Sequence, residues 1–496
     1  MNRLIYSAGI VTAAIFFGCR TEKPAGTSSK QEPERPNILF IFTDDQRADA
    51  MGCAGNSVIK TPNIDNLAAN GVRFTNCYVM GGHHGAICAP SRAMLMSGKS
   101  LFRVYDNLDG EMTMPKYFSQ HGYETFGTGK WHNSVKSFEK SFQKGSDVFI
   151  GGMSDHFKVP CRNLDENGRL SEPMNKGFST DVFAEAALNY IEEYAQGDQE
   201  NPFFCYLSFT TPHDPRSPRE DHIGMYKDED MPLPENYKEL PAFQFDDLNI
   251  RDETLAPWPR EQEYIKKTIA DYYALVSHMD ARIGDIIALL KKEQLYENTI
   301  IVFASDNGLA NGSHGLLGKQ NLYEHSTQVP FILTGPGIPL NQQRDALVYL
   351  FDIFPTLSGL CGLPEPEDID GTGLMPILTE ESDEVRSSLY TAYRNTARAV
   401  RAGNWKLIWY LRIKHLQLFN LEEDPYELNN LAGLPEREEK INQMMDLIKE
   451  WHKATADTAT LFPAATLPME YDYTELKQTP DRHQPPYVLK RYFPEF

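Results

Sequence analysis

Three short apolar runs in this chain each end in a polar cluster. Residues 37–43 (NILFIFT) run into Asp44-Asp45, residues 203–210 (FFCYLSFT) into Thr211-Pro212-His213-Asp214-Pro215, and residues 299–305 (TIIVFAS) into Asp306-Asn307-Gly308. Unbroken apolar runs of this length read as strands buried on both faces, the habit of parallel sheets. Residues 329–335 (VPFILTG) have the same character. Helical patterns lie between the runs. In 264–292, Ile265, Ile269, Tyr272, Val276, Met279, Ile283, Ile286 and Leu290 recur at three- and four-residue steps and make one apolar stripe. Residues 180–195 read as a second helix, with Thr180 as its expected N-cap. From Pro36 to about residue 378 the alternation predicts an α/β domain on a large, mostly parallel sheet flanked by helices. In open α/β sheets ligands bind outside the carboxyl ends of the strands. The three clusters therefore predict one shared site.

The acidic, Gly- and Pro-bearing stretch 362–373 reads as a linker. Beyond it, 387–393, 397–412 and 416–425 read as strands of a small antiparallel sheet and 436–455 as an amphipathic helix. This predicts a smaller C-terminal α+β subdomain over 379–496, with the last thirty or so residues wrapping the surface. At the other end, a basic start and an apolar stretch ending in Phe-Phe-Gly-Cys read as an export signal over 1–19. The ending resembles a bacterial lipobox, which would make Cys19 a lipidated N-terminus; ordinary cleavage would give a secreted protein instead. The expected location is the periplasm or the outer membrane of a bacterium. Residues 20–35 are polar and read as a tether. A net charge of −21 argues against a nucleic-acid partner. Six cysteines remain after Cys19, none in a Cys-x-x-Cys pair, so disulfides are possible and a zinc ribbon is not expected.

Taken singly, the polar clusters are ordinary. Asp44-Asp45 could cap a helix, and Asp306-Asn307-Gly308 could be a tight turn. Together, Asp44, Asp45, Asp306 and Asn307 supply hard oxygen donors that suit calcium, or magnesium. Lys130 and His132 lie in 127–133 (GTGKWHN), His213 in a Pro-flanked loop, and Lys319 in 314–326. The stretch 83–98 (HHGAICAPSRAMLMSG) puts Pro90 in the first turn of a helix that Gly98 would end. Cys88 then sits at a helix N-terminus, where the dipole favours anions and activates thiols, and Arg92 adds a fixed cation.

Cys88-Ala89-Pro90-Ser91-Arg92 resembles the Cys-x-Pro-Ser-Arg signature of the formylglycine-dependent sulfatases, in the alkaline-phosphatase-like superfamily. Residues 35–46 (RPNILFIFTDDQ), 122–132 (GYETFGTGKWH), TPHDP, SDNG, 318–337, 405–410 (WKLIWY) and 418–431 resemble the family's other motifs in the same order. The resemblance spans about residues 36–435. It implies that a maturation enzyme oxidises Cys88 to formylglycine, whose hydrate is the nucleophile. It also implies that Asp44, Asp45, Asp306 and Asn307, with the matured Cys88, hold calcium. Arg92 would orient the nucleophile, Lys130 and Lys319 would clamp the sulfate oxygens, His132 would take the proton, and His213 would act as general acid.

Outside the shared motifs, His83, His84, Ser154, Arg216, Arg394 and His415 are candidate sugar contacts, and His156 is the alternative to Ser154. The expected substrate is a sulfated carbohydrate, such as an oligosaccharide of a glycosaminoglycan. The sequence leaves two rivals. One is a phosphonate monoester or phosphodiester hydrolase of the same superfamily, and the other a catalytically silent, glycan-binding surface lipoprotein.

Overall fold

The apolar runs form the middle of one eight-stranded sheet in the computed structural model, which describes residues 35–245 and 247–494. The expected signal, Cys19 and residues 20–34 of the tether lie outside the described residues. The strands are β1 (Asn37–Asp44), β2 (Gly71–Phe74), β3 (Glu124–Trp131), β4 (Lys144–Ile150), β5 (Phe203–Pro212), β6 (Thr299–Ser305), β7 (Phe331–Thr334) and β8 (Gln342–Arg344). Their order is β8-β2-β7-β6-β1-β5-β3-β4, parallel except where β7 runs against β6 and β2. Thr43 pairs with Ser305, and Asp44 with Pro212 across a register shift. The carboxyl ends of β1, β5 and β6 therefore stand side by side.

Period-two alternation lets β1 serve two cores. Ile38, Phe40 and Phe42 enter one, and Leu39 and Ile41 the other. The first core includes Met94 and Leu95 of α1 (Cys88–Ser97). The second takes the faces of α2 (Ser179–Gln196) and α3 (Gln262–Lys292). All eight stripe residues of α3 are buried, each Ile or Val contributing roughly 1.5–3 kcal/mol. The expected cap of α2 is displaced: Thr180 is already inside the helix, and its hydroxyl lies 3.0 Å from that of Thr211 on β5.

The predicted antiparallel sheet is present as β9 (Ser388–Tyr393), β10 (Ala397–Ala402), β11 (Trp405–Tyr410) and β12 (His415–Asn420), followed by α4 (Glu438–Ala454). β9 pairs on its free edge with Gly81–Gly82, immediately before the His83–Gly98 stretch. A Cβ on Gly81 would meet the Ala392 carbonyl oxygen at 2.0 Å, so only glycine permits this junction. The tail is more than a surface wrap. It carries α5 (Pro486–Tyr492), whose Arg491 and Tyr492 both bond Asp271 of α3. All six cysteines among the described residues are free, and no described helix is long and apolar enough to cross a membrane.

Candidate active site

Helix α1 opens on Cys88, with Pro90 in its first turn, and closes at Gly98, whose φ of 69° puts it in the left-handed cap. The Cys88 thiol donates to Asp44 Oδ1 at 3.3 Å and Asp45 Oδ1 at 3.6 Å, and accepts from Lys319 Nζ at 2.9 Å. Asp44 ends β1; Asp45 follows at φ 65°, and its N–H donates to Asp306 Oδ1 at 3.1 Å.

Arg92 ties the strand ends together. Its Nε donates to Asp306 Oδ2 at 2.8 Å, and one Nη donates to Ser208 Oγ at 2.7 Å and the Lys130 carbonyl at 3.2 Å. Its guanidinium lies 4.9 Å from the Phe42 ring centroid, so β1, β3, β5 and the end of β6 all meet one side chain. Ser91 Oγ donates to the Asp306 carbonyl at 2.7 Å. Lys130 is wholly buried; its Nζ donates to the Asp44 carboxylate and, at 2.7 Å, to Gly152 O. Lys319 Nζ donates to both Asp45 oxygens, at 2.6 and 2.7 Å.

Two histidines belong to these surroundings, His213 beside Cys88 and His132 within the field of Lys130 and Arg92. His213 Nε2 lies 3.6 Å from Asp45 Oδ2, while Nδ1 donates to the Asp214 carbonyl at 2.8 Å. His132 has a buried Nδ1 without a partner, and a Cβ on Gly152 would come within 2.8 Å of its Nε2. Burial, then the charges of Lys130 and Arg92, push His132 down to about 2, so its imidazole is neutral. Burial and Lys319 hold His213 well below the usual histidine range, against the pull of Asp214.

The helix N-terminus does not activate Cys88 as expected. Complete burial, then the Asp306 carboxylate, raises its thiol well above the usual range, and these outweigh Lys319 and Lys130. That direction disfavours the thiolate form of an unmodified Cys88.

The Asp44 and Asp45 carboxylates offer oxygen donors of the kind a divalent cation takes, in a buried cluster that also holds the Cys88 sulfur and the His213 ring. Donor atoms of Asp44, Asp45, Cys88 and His213 lie within 4.8 Å of one another. Burial, then Asp306, raises Asp44 to about 6 despite Lys130 and Arg92. Burial raises Asp45 to about 8, with Lys319 opposing. Carboxyls this reluctant to ionise are short of positive charge, which a divalent ion supplies. Burial also works to raise Asp306, but Arg92, Lys130 and Lys319 outweigh it and hold that carboxyl below the usual range. Asn307 is buried beside it, with Nδ2 unpartnered.

The candidate sugar contacts differ in their surroundings. His83 Nε2 is 3.1 Å from the Leu101 carbonyl, and half-exposed His84 pairs with Asp106. Ser154 Oγ is buried and unpartnered. His156 instead reaches the site, donating from Nε2 to the His213 carbonyl at 3.0 Å. Arg216 is buried, with Nε unpartnered, and lines a cavity of about 410 Å³ with Phe157 and Tyr487. Arg394 pairs with Asp247 at 2.8 Å, and His415 packs on Phe243. Sequence reasoning missed Ser208, a small residue in an apolar run. It also missed Asp214 as the partner of His213, although the two are adjacent in TPHDP.

The model of the Sulfatase family matches residues 36–363, and that of the N-sulphoglucosamine sulphohydrolase C-terminal region matches 312–454. The N-acetylglucosamine-6-O-sulfatase of Bacteroides thetaiotaomicron is 28% identical, over 86% of this chain and 88% of its own. The arylsulfatase of Clostridium perfringens is 29% identical, over 84% of this chain and 94% of its own. A solved structure holding its substrate D-glucosamine-2-N,6-O-disulfate superposes with a TM-score of 0.72 at 25% identity, covering 86% of this chain and 99% of that one. The phosphonate monoester hydrolase of Agrobacterium radiobacter shares the fold at 21% identity and a TM-score of 0.68, covering 85% of this chain and 96% of that one. With a family model spanning the large sheet and its strand-end cluster, the chain belongs to the sulfatase family of the alkaline-phosphatase-like superfamily and is a sulfuric ester hydrolase.

Proposed function

We propose that this enzyme hydrolyses a sulfate ester on a carbohydrate, using formylglycine made from Cys88 by a maturation enzyme and a calcium ion held by Asp44, Asp45, Asp306 and Asn307. The observation that carries the reading is the buried thiol between two carboxylates and the Lys319 ammonium. That environment suppresses cysteine chemistry, yet it crowds donors for a metal and an anion around one atom. The relative that acts on N-acetylglucosamine 6-sulfate and the neighbour that holds a glucosamine disulfate support an amino-sugar sulfate as substrate.

When present, the calcium ion and the formylglycine hydrate supply charge stabilisation and an oxygen nucleophile at position 88. The protein's own residues do the rest. Lys130, on Asp44, and Lys319, on Asp45 and Cys88, bring two ammonium groups to the centre that suit the oxygens of a tetrahedral anion. Arg92 fixes α1 against the strand ends, which sets the position of residue 88. His132, neutral by burial, accepts a proton on the nucleophile's side. His213 presents Nε2 to the site and donates a proton to the leaving sugar oxygen. A sulfate anion against Lys319 offsets the charge that depresses this histidine. Export and a lipid on Cys19 belong to the same proposal and rest on residues 1–19.

The test is sulfate release from sulfated amino sugars by protein co-expressed with a maturase, with formylglycine verified by peptide mass. Release that is lost in Cys88→Ala supports the proposal. Turnover of phosphonate monoesters in place of sulfates would move the enzyme to the other branch of its superfamily. Glycan binding without release would leave a silent lectin-like protein.

A further inference from the structure

His213 is held from two directions. On the backbone side, His156 donates to its carbonyl and in turn meets Ser179 Oγ at 2.8 Å, within a buried hydroxyl network that includes Thr210. On the ring side, Nδ1 faces Asp214, with the carbonyl at 2.8 Å and Oδ1 at 3.2 Å. A proton fixed on Nδ1 by these acceptors leaves Nε2 as the atom facing the substrate. The acid is the imidazolium, which carries a second proton on Nε2, gives it to the leaving oxygen and returns to the neutral Nδ1–H ring.

Asp214 is itself clamped. Arg251 binds both of its oxygens, with Nη1 donating at 3.0 Å, and Gln484 Nε2 donates to Oδ2 at 2.9 Å. Arg251 also donates from Nε to Asp481 at 3.2 Å. Asp481 and Gln484 are both buried, although they follow Asp214 by more than 260 residues. Their stretch of tail is fastened along its length. Lys477 N–H donates to Asn249, Gln478 accepts from Trp258 N–H, and Asp481 N–H donates to the Thr254 carbonyl. Tyr487 then donates to Asp155, in the loop that carries His156. Neither matching family model extends past residue 454.

We infer that the C-terminal segment at Asp481 and Gln484 is part of the active site: the two are positioning residues that hold Asp214 and Arg251 and so aim the His213 ring at the leaving oxygen. The inference rests on His213 being the acid of the proposed reaction. The tail residues act through Arg251 and Asp214. Each removes freedom from the group that fixes the ring, as outer-shell partners do for metal-bound histidines.

The experiment measures kcat/KM of the full-length, matured enzyme across aryl sulfates from 4-nitrophenyl to phenyl. The parent is compared with His213→Ala, Gln484→Ala and Gln484→Glu. Gln484→Ala is expected to lose about tenfold on phenyl sulfate and less than about threefold on 4-nitrophenyl sulfate, because a misaimed acid matters most where the leaving oxygen is most basic. Gln484→Glu has the same size but sets a second carboxylate against Asp214, and is expected to lose at least as much. A tail that acts only through packing lowers both esters by the same factor, and that result overturns the inference. His213→Ala that loses equally across the series overturns the acid assignment, and the inference with it. Asp481→Asn loosens Arg251 without touching Asp214, and supplies the same comparison if the Gln484 variants do not fold.

Discussion

Arg92 and Arg398 are both almost wholly buried, one at the carboxyl ends of the large sheet and one in the small sheet. Arg398 has used all of its nitrogens. Nε and Nη2 close a fork on Asp457, and Nη1 donates to the carbonyls of Arg394 and Ala397. Arg92 has not: its second Nη is buried without a hydrogen bond, 3.9 Å from Asp44 Oδ1. A buried donor left unmade costs about 1–3 kcal/mol. The structure tolerates that cost where Asn307 Nδ2 and His132 Nδ1 are also unpartnered. The small sheet spends its buried charge on stability, while the large sheet keeps some of it for chemistry.

The sharpest test of that contrast is Cys88→Ala, which should leave the melting temperature nearly unchanged and lower kcat by at least about 10⁴-fold. Full activity in this variant would mean that the centre around Cys88 is not the reacting one. The two arginines should then separate by kind of effect. Arg92→Ala is expected to lower kcat by about 100-fold or more. Arg398→Ala is expected to cost about 3–5 kcal/mol in denaturant unfolding, because Asp457 is left buried and unpaired, with kcat per folded molecule preserved. A swap of those outcomes would break the comparison. Removing metal with a chelator is expected to lower activity by about 10–100-fold and to lower the melting temperature, with calcium restoring both. An unchanged melting temperature would remove Asp44 and Asp45 from the metal assignment.

The smallest effect concerns His314, stacked on Tyr323 at 3.9 Å between ring centroids, near the small sheet. Burial first, then Lys238, lowers it from 6.5 to about 4. The unfolded chain binds that proton near 6.5 and the folded one only near 4. Stability is therefore full above about 6.5 and falls as the pH drops toward 4, by no more than about 3 kcal/mol. His314→Phe keeps a ring on Tyr323 and should flatten the unfolding midpoint across that window. An identical slope in parent and variant would assign the loss to other groups.

Much of the catalytic end could be read from residue order alone. The apolar runs at 37–43, 203–210 and 299–305 became central strands because nothing but a doubly covered sheet buries such segments. Their polar ends met because parallel pairing aligns carboxyl termini. The helix at Cys88 was legible from Pro90 and Gly98, since those residues act through local backbone geometry. Other features were not legible. Thr180 looked like a cap, but the helix starts at Ser179, so the cap position falls two residues earlier, on Phe178. The expected activation of Cys88 by the helix end is opposed by burial and by the Asp306 carboxylate, which no local window contains.

The sequence by itself therefore determined the α/β class, the meeting of the polar clusters at the strand ends and the ordered motif set. All of these depend on periodicity, on short-range backbone preference, or on residues that lie together in the chain. Only the tertiary structure decided which charges neutralise each other and which buried donors stay unspent. It also decided that Asp481 and Gln484, unremarkable in a Pro- and Tyr-rich tail, brace His213 through Asp214 and Arg251. Contacts across more than 200 residues follow from the packing of the whole chain, and desolvation depends on everything packed around a group, so neither leaves a local signature.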